Sequence, residues 1–96
     1  MNQDLRFEWD EEKNKANKRK HKISFKEASY VFYDDNVMMF YDEAHSNDED
    51  RFIAIGRSKK TNLLLVCYCY RGNDDVIRII SARKAERKDI SKYGGA

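Results

Sequence analysis

The alternation of apolar and polar residues predicts five strands. Residues 5–9 alternate Leu, Phe and Trp with Arg and Glu, which is typical of a short strand with one apolar face. Four further segments follow residue 36, at 37–41, 51–57, 63–70 and 76–81. Two short turns, at 58–62 and 71–75, and one polar loop, at 42–50, separate these four strands, which favours an antiparallel meander.

Between the first two strands the pattern predicts a surface helix. Asp10 is a good N-cap for a helix over 11–21. Ala16 is the only ordinary apolar residue in this segment, so the helix has no apolar face to bury. The i, i+3 and i, i+4 spacing puts four nitrogen-bearing side chains on one face: Lys13, Asn17, Lys20 and His21.

Two more helices complete the predicted order of elements. Ser24 and Glu27 have the spacing of a capping box, and the apolar residues after Ser24 fit a helix that ends at residues 34–36. A last helix is predicted over 82–93, with Tyr93 among its packing residues. The order β-α-α-β-β-β-β-α describes a small α+β fold, with an antiparallel sheet, helices on one face and the other face partly open. We expect one domain over residues 1–96.

Charge is abundant but unevenly distributed. Charged residues make up 38% of the 96 residues, against about 25% in an average domain, yet the formal net charge is only +2. Residues 11–22 and 71–92 are rich in Lys and Arg, whereas residues 34–50 contain seven acids and neither Lys nor Arg. This pattern fits either a basic cleft with an acidic wall or three solvated surfaces.

Several classes of protein are disfavoured. No apolar run approaches the ~20 residues of a membrane span, and residues 1–10 do not look like a secretion signal, so we expect a cytoplasmic protein. Cys67 and Cys69 lie two apart in one strand, and we expect reduced, buried thiols on the same side of it. The acids around His45 fit no known metal-loop spacing, so we expect neither a metal nor a cofactor.

The residues with chemical potential are mainly arginines and histidines. Five Arg lie on or beside the predicted strands, at positions 51, 57, 71, 78 and 83, and Arg suits bidentate phosphate contact. With six Tyr and one Trp they fit single-stranded RNA, although edge-strand Arg also prevent aggregation. His21 and His45 are candidates for an acid and a base, or for structural roles, and nothing in the sequence brings them together.

Several segments, taken together, resemble the BrnT toxin family. The resemblance covers residues 7–88 and is strongest over Arg78 to Arg83 and in the spacing from Lys20-His21 to Ser24-Phe25. Further matching segments are Phe7-Glu8-Trp9-Asp10, Asp42 with His45-Ser46, Glu49 with Arg51-Phe52, and Ile55-Gly56-Arg57-Ser58. The chain departs from the family at Lys22, where a Gly is common, at residues 60–62, and at Glu86 and Asp89.

The resemblance implies a RelE-like ribonuclease toxin of a type II toxin–antitoxin system, which inhibits translation and growth. It implies metal-independent RNA cleavage by attack of a 2′-hydroxyl, without a cofactor. The implied partner is a BrnA-type antitoxin with a ribbon-helix-helix module, which would form a heterotetramer with the toxin and alone contact operator DNA. The alternatives are a non-catalytic RNA-binding module and a structural interaction domain.

This mechanism needs positive charge around the phosphorus, together with proton transfer. Within it, Arg51, Arg57, Arg78 and Arg83 are the candidates for charge stabilisation. Lys20 and His21 are the candidates for proton transfer or phosphate contact, and His45 is a further, weaker one.

Overall fold

A five-stranded sheet forms the centre of the protein in its computed structural model, which describes residues 5–60 and 62–92. The strands are β1 (Arg6–Glu8), β2 (Met38–Tyr41), β3 (Phe52–Arg57), β4 (Leu63–Arg71) and β5 (Val76–Lys84). Their order across the sheet is β1-β5-β4-β3-β2. The antiparallel meander from β2 to β5 is therefore confirmed, whereas β1 pairs with β5 in parallel, which the local pattern did not predict.

Helices α1 (Glu11–His21) and α2 (Phe25–Ser29) begin where the sequence predicts. The Asp10 side chain accepts hydrogen bonds from the backbone N–H groups of residues 12 and 13, and the Ser24 hydroxyl accepts one from residue 27. The capping box at Ser24 is only half formed, because the Glu27 carboxylate accepts a hydrogen bond from the Ser58 hydroxyl instead. A 3₁₀ turn (Tyr30–Tyr33) continues α2 and buries Val31 and Phe32.

The main core lies between these helices and one face of the sheet. Its buried residues come from α2 and the 3₁₀ turn on one side and from β3, β4 and β5 on the other. Gly56 of β3 permits a close approach here, since an added Cβ would lie 3.0 Å from Val31 Cγ1. The strands therefore bury one apolar face under the helices, and this confirms the predicted α+β arrangement on that side.

Helix α1 is attached to the sheet by an amide. Asn17, predicted to present nitrogen to solvent, is instead buried, with 7% of its surface exposed. Its Nδ2 donates to the carbonyls of Ile23 and Ala82, and its Oδ1 accepts from the N–H of Ala82. Strand β1 pairs only with residues 76–78 of β5. Further along that edge of β5, the Asn17 amide binds the backbone N–H and carbonyl of Ala82 in place of a neighbouring strand. The exposed-face prediction was wrong for Asn17, since periodicity cannot show which polar group binds a backbone.

The predicted last helix over 82–93 is also wrong in its bounds. Strand β5 continues to Lys84, because residues 82–84 pair with β4 as far as Leu64. The helix α3 that follows is short, Arg87–Ile90, and lies beside the opposite face of the sheet rather than with α1 and α2. Tyr93, predicted to pack in this helix, lies outside the described residues.

A bulge in β5 shapes that opposite face. Cys67 pairs with Ser81 and the next residue, Tyr68, pairs with Ile79, so Ile80 is the extra residue. Bulges of this kind re-aim side chains. Ile79 and Ala82 consequently both join the main core, while Ile80 and Ser81 both line the opposite face. No helix in residues 5–60 and 62–92 is long and apolar enough to cross a membrane.

Candidate functional site

A cleft of about 590 Å³ lies on the face of the sheet opposite α1 and α2. Its floor is apolar and comes from the central strands: Ile53, Leu65, Cys67 and Ile80. Its rim is polar and comes from both ends of the meander: Asp42, His45, Arg51, Ser81, Arg83, Lys88, Asp89 and Lys92. An apolar floor with a few convergent polar groups is the usual form of a small binding site, and four of these rim side chains are cationic.

Arg83 is fixed on one side of the cleft by α3. Its Nη1 and Nη2 donate to the two carboxylate oxygens of Asp89, over 2.8 and 2.9 Å. The Arg83 hydrogen bond holds the pKa of the Asp89 carboxyl at about 2, well below its usual range. Arg83 Nη1 also donates to the carbonyl of Lys84, so its guanidinium has a defined position at the rim.

Arg51 lies on the other side, immediately before β3. Its Nη2 is 3.7 Å from a carboxylate oxygen of Glu49, and its side chain is 38% exposed. The same Glu49 accepts a shorter, 2.9 Å hydrogen bond from Arg71, which lowers the pKa of the Glu49 carboxyl. Arg71 is thus the closer partner of Glu49. The Arg51 guanidinium is held more loosely than that of Arg83, which makes two hydrogen bonds to Asp89.

A turn beside Arg51 brings a histidine and a carboxylate to the same cleft. His45 Nδ1 lies 2.9 Å from Asp42 Oδ2, and the Asp42 side chain is almost fully buried. A backbone hydrogen bond from the N–H of Asp42 to the carbonyl of Arg51 joins this turn to the start of β3. Within the described residues, no group of three or more His, Cys, Asp or Glu is placed to hold a metal ion.

The two cysteines lie on this face, as predicted, and both are free thiols, but only Cys69 is fully buried, whereas Cys67 is partly exposed at the cleft. Cys67 belongs to the cleft floor, where burial raises the pKa of its thiol. Cys69, two residues on, is buried beside Arg71, whose Nη1 donates to its sulfur. Their thiols are therefore held in the protonated form, which is the less nucleophilic one.

The six site residues predicted from sequence lie in different parts of the molecule. Arg51 and Arg83 meet at the cleft. Arg78 donates to Glu8 on the neighbouring β1, over 2.7 Å. Arg57 lies at the far end of β3 from Arg51, roughly 20 Å along the strand, beside Tyr30 and Tyr33.

Lys20 and His21 end α1, and neither is among the described residues that line the cleft. Five rim residues were not selected from the sequence: Asp42, Ser81, Lys88, Asp89 and Lys92. The separation of Asp42 from His45 by three residues was an available signal for that pair. The two lysines gave none, because the helix bounds there were wrong.

The sequence model of one protein family matches residues 9–89, and its description is "Ribonuclease toxin, BrnT, of type II toxin-antitoxin system". The chain belongs to this family. A BrnT toxin acts together with an antitoxin, because a type II system consists of a toxin and the protein that neutralises it. The protein is thus a ribonuclease toxin by family, and an antitoxin is its implied partner.

A solved structure supports the same assignment. The 1.1 Å crystal structure of the Brucella abortus ribonuclease toxin BrnT matches with a TM-score of 0.67 and 25% sequence identity. The match covers 86% of this chain and 99% of that one. A search of curated proteins gave no match. The BrnT fold therefore extends over most of the chain, including the sheet that carries the cleft.

Proposed function

We propose that this BrnT-family protein cleaves RNA at the cleft between Arg51 and Arg83, without a metal ion. The observation that carries the proposal is the meeting of these two arginines over an apolar floor in a chain of a ribonuclease family. In the proposed reaction the 2′-oxygen attacks the adjacent phosphorus. The products are a 2′,3′-cyclic phosphate and a 5′-hydroxyl.

Positive charge at the cleft supports this chemistry. The transition state carries more negative charge on the phosphoryl oxygens than the substrate does, and preorganised donors stabilise that charge. Among the described residues, three of the five N–H groups of Arg83 donate to protein acceptors, which leaves two for a phosphate. Lys88, whose side chain is 78% exposed and lies 3.6 Å from the carboxylate of Glu86, adds a further positive charge at the same rim.

The other predicted residues have supporting roles in this proposal. Arg78 lies on β5 five residues before Arg83, and it contacts a flanking phosphate by exchanging its bond to Glu8. Lys20, His21 and Arg57 lie outside the cleft, and they contact the RNA backbone rather than the reacting phosphate. Phosphate contacts of this kind orient a nucleic acid without reading its sequence.

The partner that we propose is a BrnA-type antitoxin with a ribbon-helix-helix module. Such a module dimerises, so two toxins and two antitoxins form a heterotetramer, and operator DNA is bound only through the antitoxin. An open cationic cleft supports the need for such a partner, since cellular RNA would otherwise reach it. The acidic loop at residues 42–50 offers complementary charge to basic antitoxin residues.

The decisive experiment is cleavage of RNA by purified, antitoxin-free protein in the presence of EDTA. We expect cleavage, with products that end in a cyclic phosphate and a 5′-hydroxyl. Cleavage that requires added Mg²⁺ or Mn²⁺ contradicts the metal-independent mechanism. Salt-dependent RNA binding without any cleavage instead identifies a non-catalytic binding module.

A further inference from the structure

The described residues contain one histidine–carboxylate pair, and it lies at the rim of the cleft. His45 Nδ1 is 2.9 Å from Asp42 Oδ2. The two side chains differ sharply in exposure, at 71% for His45 and 8% for Asp42. The carboxylate is therefore inside the protein, and the ring extends from it toward solvent at the cleft.

The backbone fixes this pair relative to Arg51. The Asp42 N–H donates to the carbonyl of Arg51 over 2.9 Å, and the Ser46 hydroxyl accepts from the N–H of Arg51 over 2.9 Å. The Asp42 carbonyl in turn accepts from the Ser46 hydroxyl and from the N–H of His45. One compact turn thus holds His45 beside the strand end that carries Arg51.

The hydrogen bond to Asp42 selects the tautomer of His45. An ionised carboxylate can only accept hydrogen bonds, so the Nδ1 of His45 must carry the proton. In a neutral ring the lone pair then belongs to Nε2, which is not occupied by Asp42. A histidine oriented in this way by a carboxylate is prepared to take a proton from a substrate hydroxyl.

We propose that His45 is the general base of the RNA cleavage reaction and that Asp42 is its positioning residue. This inference rests on the proposed function. His45 Nε2 takes the proton of the 2′-hydroxyl, and the 2′-oxygen forms its bond to phosphorus. The bond from phosphorus to the 5′-oxygen breaks, and that oxygen takes a proton from water in the open cleft. The imidazolium then returns its proton to water.

The position of the charges agrees with this assignment. Arg51 and Arg83 line the same cleft as His45, so a phosphate between them brings its neighbouring 2′-hydroxyl to the rim. The carboxylate of Asp42 stabilises the imidazolium that forms when the proton is taken. His21, the other histidine, ends α1 and has no comparable place at the cleft among the residues described.

The test uses the purified full chain and an oligoribonucleotide whose cleaved bond has first been mapped with the wild type. His45→Gly should lower the single-turnover cleavage rate by about 10²–10⁴-fold, which is typical for loss of a general base. Added imidazole should restore part of that rate. Binding of the same oligonucleotide with a 2′-O-methyl group at the cleavage site should be unchanged. Glu43→Ala, an exposed substitution in the same turn, is the matched control and should cleave like the wild type.

A sulfur-substituted substrate separates a base from an acid. With sulfur in place of the leaving 5′-oxygen, departure needs no protonation, so loss of a general acid no longer matters. His45→Gly should lose the same factor in rate, relative to the wild type, on the oxygen and on the sulfur substrate. Recovery on the sulfur substrate alone would overturn the assignment, because it would make His45 the acid.

Asp42→Asn tests the positioning role. Made alone, Asp42→Asn should slow cleavage. Added to His45→Gly, it should lower the cleavage rate no further, since the two residues act as one unit. An additive loss would show that Asp42 acts independently of His45. Wild-type protein that does not cleave RNA would refute the proposed function. Wild-type cleavage that His45→Gly leaves unchanged, or a loss that imidazole does not restore, refutes only the role of His45.

Discussion

Nη1 and Nη2 of Arg83 donate hydrogen bonds to the two carboxylate oxygens of Asp89, and this pair connects the end of β5 to α3. Asp89 also accepts a hydrogen bond from the N–H of Glu86, at the start of the helix. The residue that orients a cleft arginine therefore also fixes the first turn of α3. Stability and the geometry of the cleft depend on the same carboxylate.

This dependence predicts a pH-sensitive contribution to stability. The pKa of Asp89 is about 2 in the folded protein and near 4 in an unfolded chain. The pair consequently stabilises the fold above about pH 4, and this contribution disappears as the pH falls toward 2. We expect Asp89→Asn to lower the free energy of unfolding by about 1–2 kcal/mol at neutral pH, measured by urea denaturation. The difference from wild type should vanish near pH 2.

Asp75→Asn is the control for this prediction. Asp75 pairs with Arg6 at 3.3 Å, but both side chains are more than half exposed. Exposed pairs contribute little, so this variant should resemble the wild type at every pH. Equal losses in the two variants, or a loss for Asp89→Asn that persists at acid pH, would contradict a special role for the Arg83–Asp89 pair.

Lys22 offers a prediction in the stabilising direction. It ends α1 in the left-handed region, with a φ of 64°, which a side chain disfavours and glycine tolerates. Lys22→Gly should therefore raise the free energy of unfolding by up to about 1 kcal/mol. Lys22→Ala keeps the Cβ and should give no such gain. Thermal unfolding of the two variants beside wild type measures the difference, and equal stability of Gly and Ala would rule the explanation out.

Local chemistry explains why the first residues of α1 and α2 were predicted correctly. Asp10 and Ser24 place their side-chain oxygens on backbone N–H groups two or three residues away, so the signal and the structure lie in the same short segment. The strands β2 to β5 follow one another through short connections, and their order was predictable for the same reason. The left-handed backbone conformation of Lys22 also explains why glycine suits that position in the family to which this chain belongs.

Contacts between residues far apart in the sequence explain the predictions that were wrong or missing. The parallel contact of β1 with β5 joins residues 70 apart, as between Glu8 and Arg78, and no local pattern encodes it. Asn17 and Ala82 are 65 residues apart, and their hydrogen bonds continue along the edge of β5 where β1 has already ended. Pairing with β4 extends β5 to Lys84, so the helix predicted over 82–93 begins too early.

The candidate site shows the same division. The sequence analysis selected arginines on or beside strands as candidates, but it could not show which of them share a face and an end of the sheet. Arg51 immediately precedes β3 and Arg57 ends it, so the two arginines lie at opposite ends of one strand, and only Arg51 lines the cleft. Lys88 lies in α3 and Lys92 follows it, so both reach the cleft rim through a segment whose helix bounds the pattern misplaced.

This separation makes Arg51 a direct test of the cleft. Arg51→Ala should lower the rate of RNA cleavage by about 10²–10³-fold, the effect of losing one preorganised donor to the transition state. Folding should be unaffected, because Arg51 is 3.7 Å from Glu49, and Glu49 keeps its shorter bond to Arg71. Circular dichroism and single-turnover cleavage measure the two properties.

Arg6→Ala is the matched control for Arg51, since Arg6 is a strand arginine with only an exposed partner. It should fold and cleave like the wild type. Arg57→Ala compares the two ends of β3 and should have a smaller effect than Arg51→Ala. A larger effect for Arg57→Ala would place the reaction at the other end of the strand and reject the cleft.

The antitoxin provides the last prediction, because a toxin with an open cleft must be blocked by its partner. Co-expression with the proposed BrnA-type antitoxin should give a stable heterotetramer that does not cleave RNA. Obligate interfaces bury on the order of 2,000 Å² or more, so the complex should form a single species in size-exclusion chromatography with light scattering. Its melting temperature should exceed that of the toxin alone, since the antitoxin binds only the folded toxin.

Lysine labelling shows whether the antitoxin covers the cleft itself. Lys88 lies at the rim with 78% of its side chain exposed, whereas Lys15 is 57% exposed on α1, away from the cleft. If the antitoxin occupies the cleft, acetylation of Lys88 should fall in the complex while Lys15 continues to react. An inactive complex in which Lys88 still reacts as in the toxin alone would show that inhibition acts from another surface. A complex that cleaves RNA as fast as the toxin alone would show that this partner does not neutralise it.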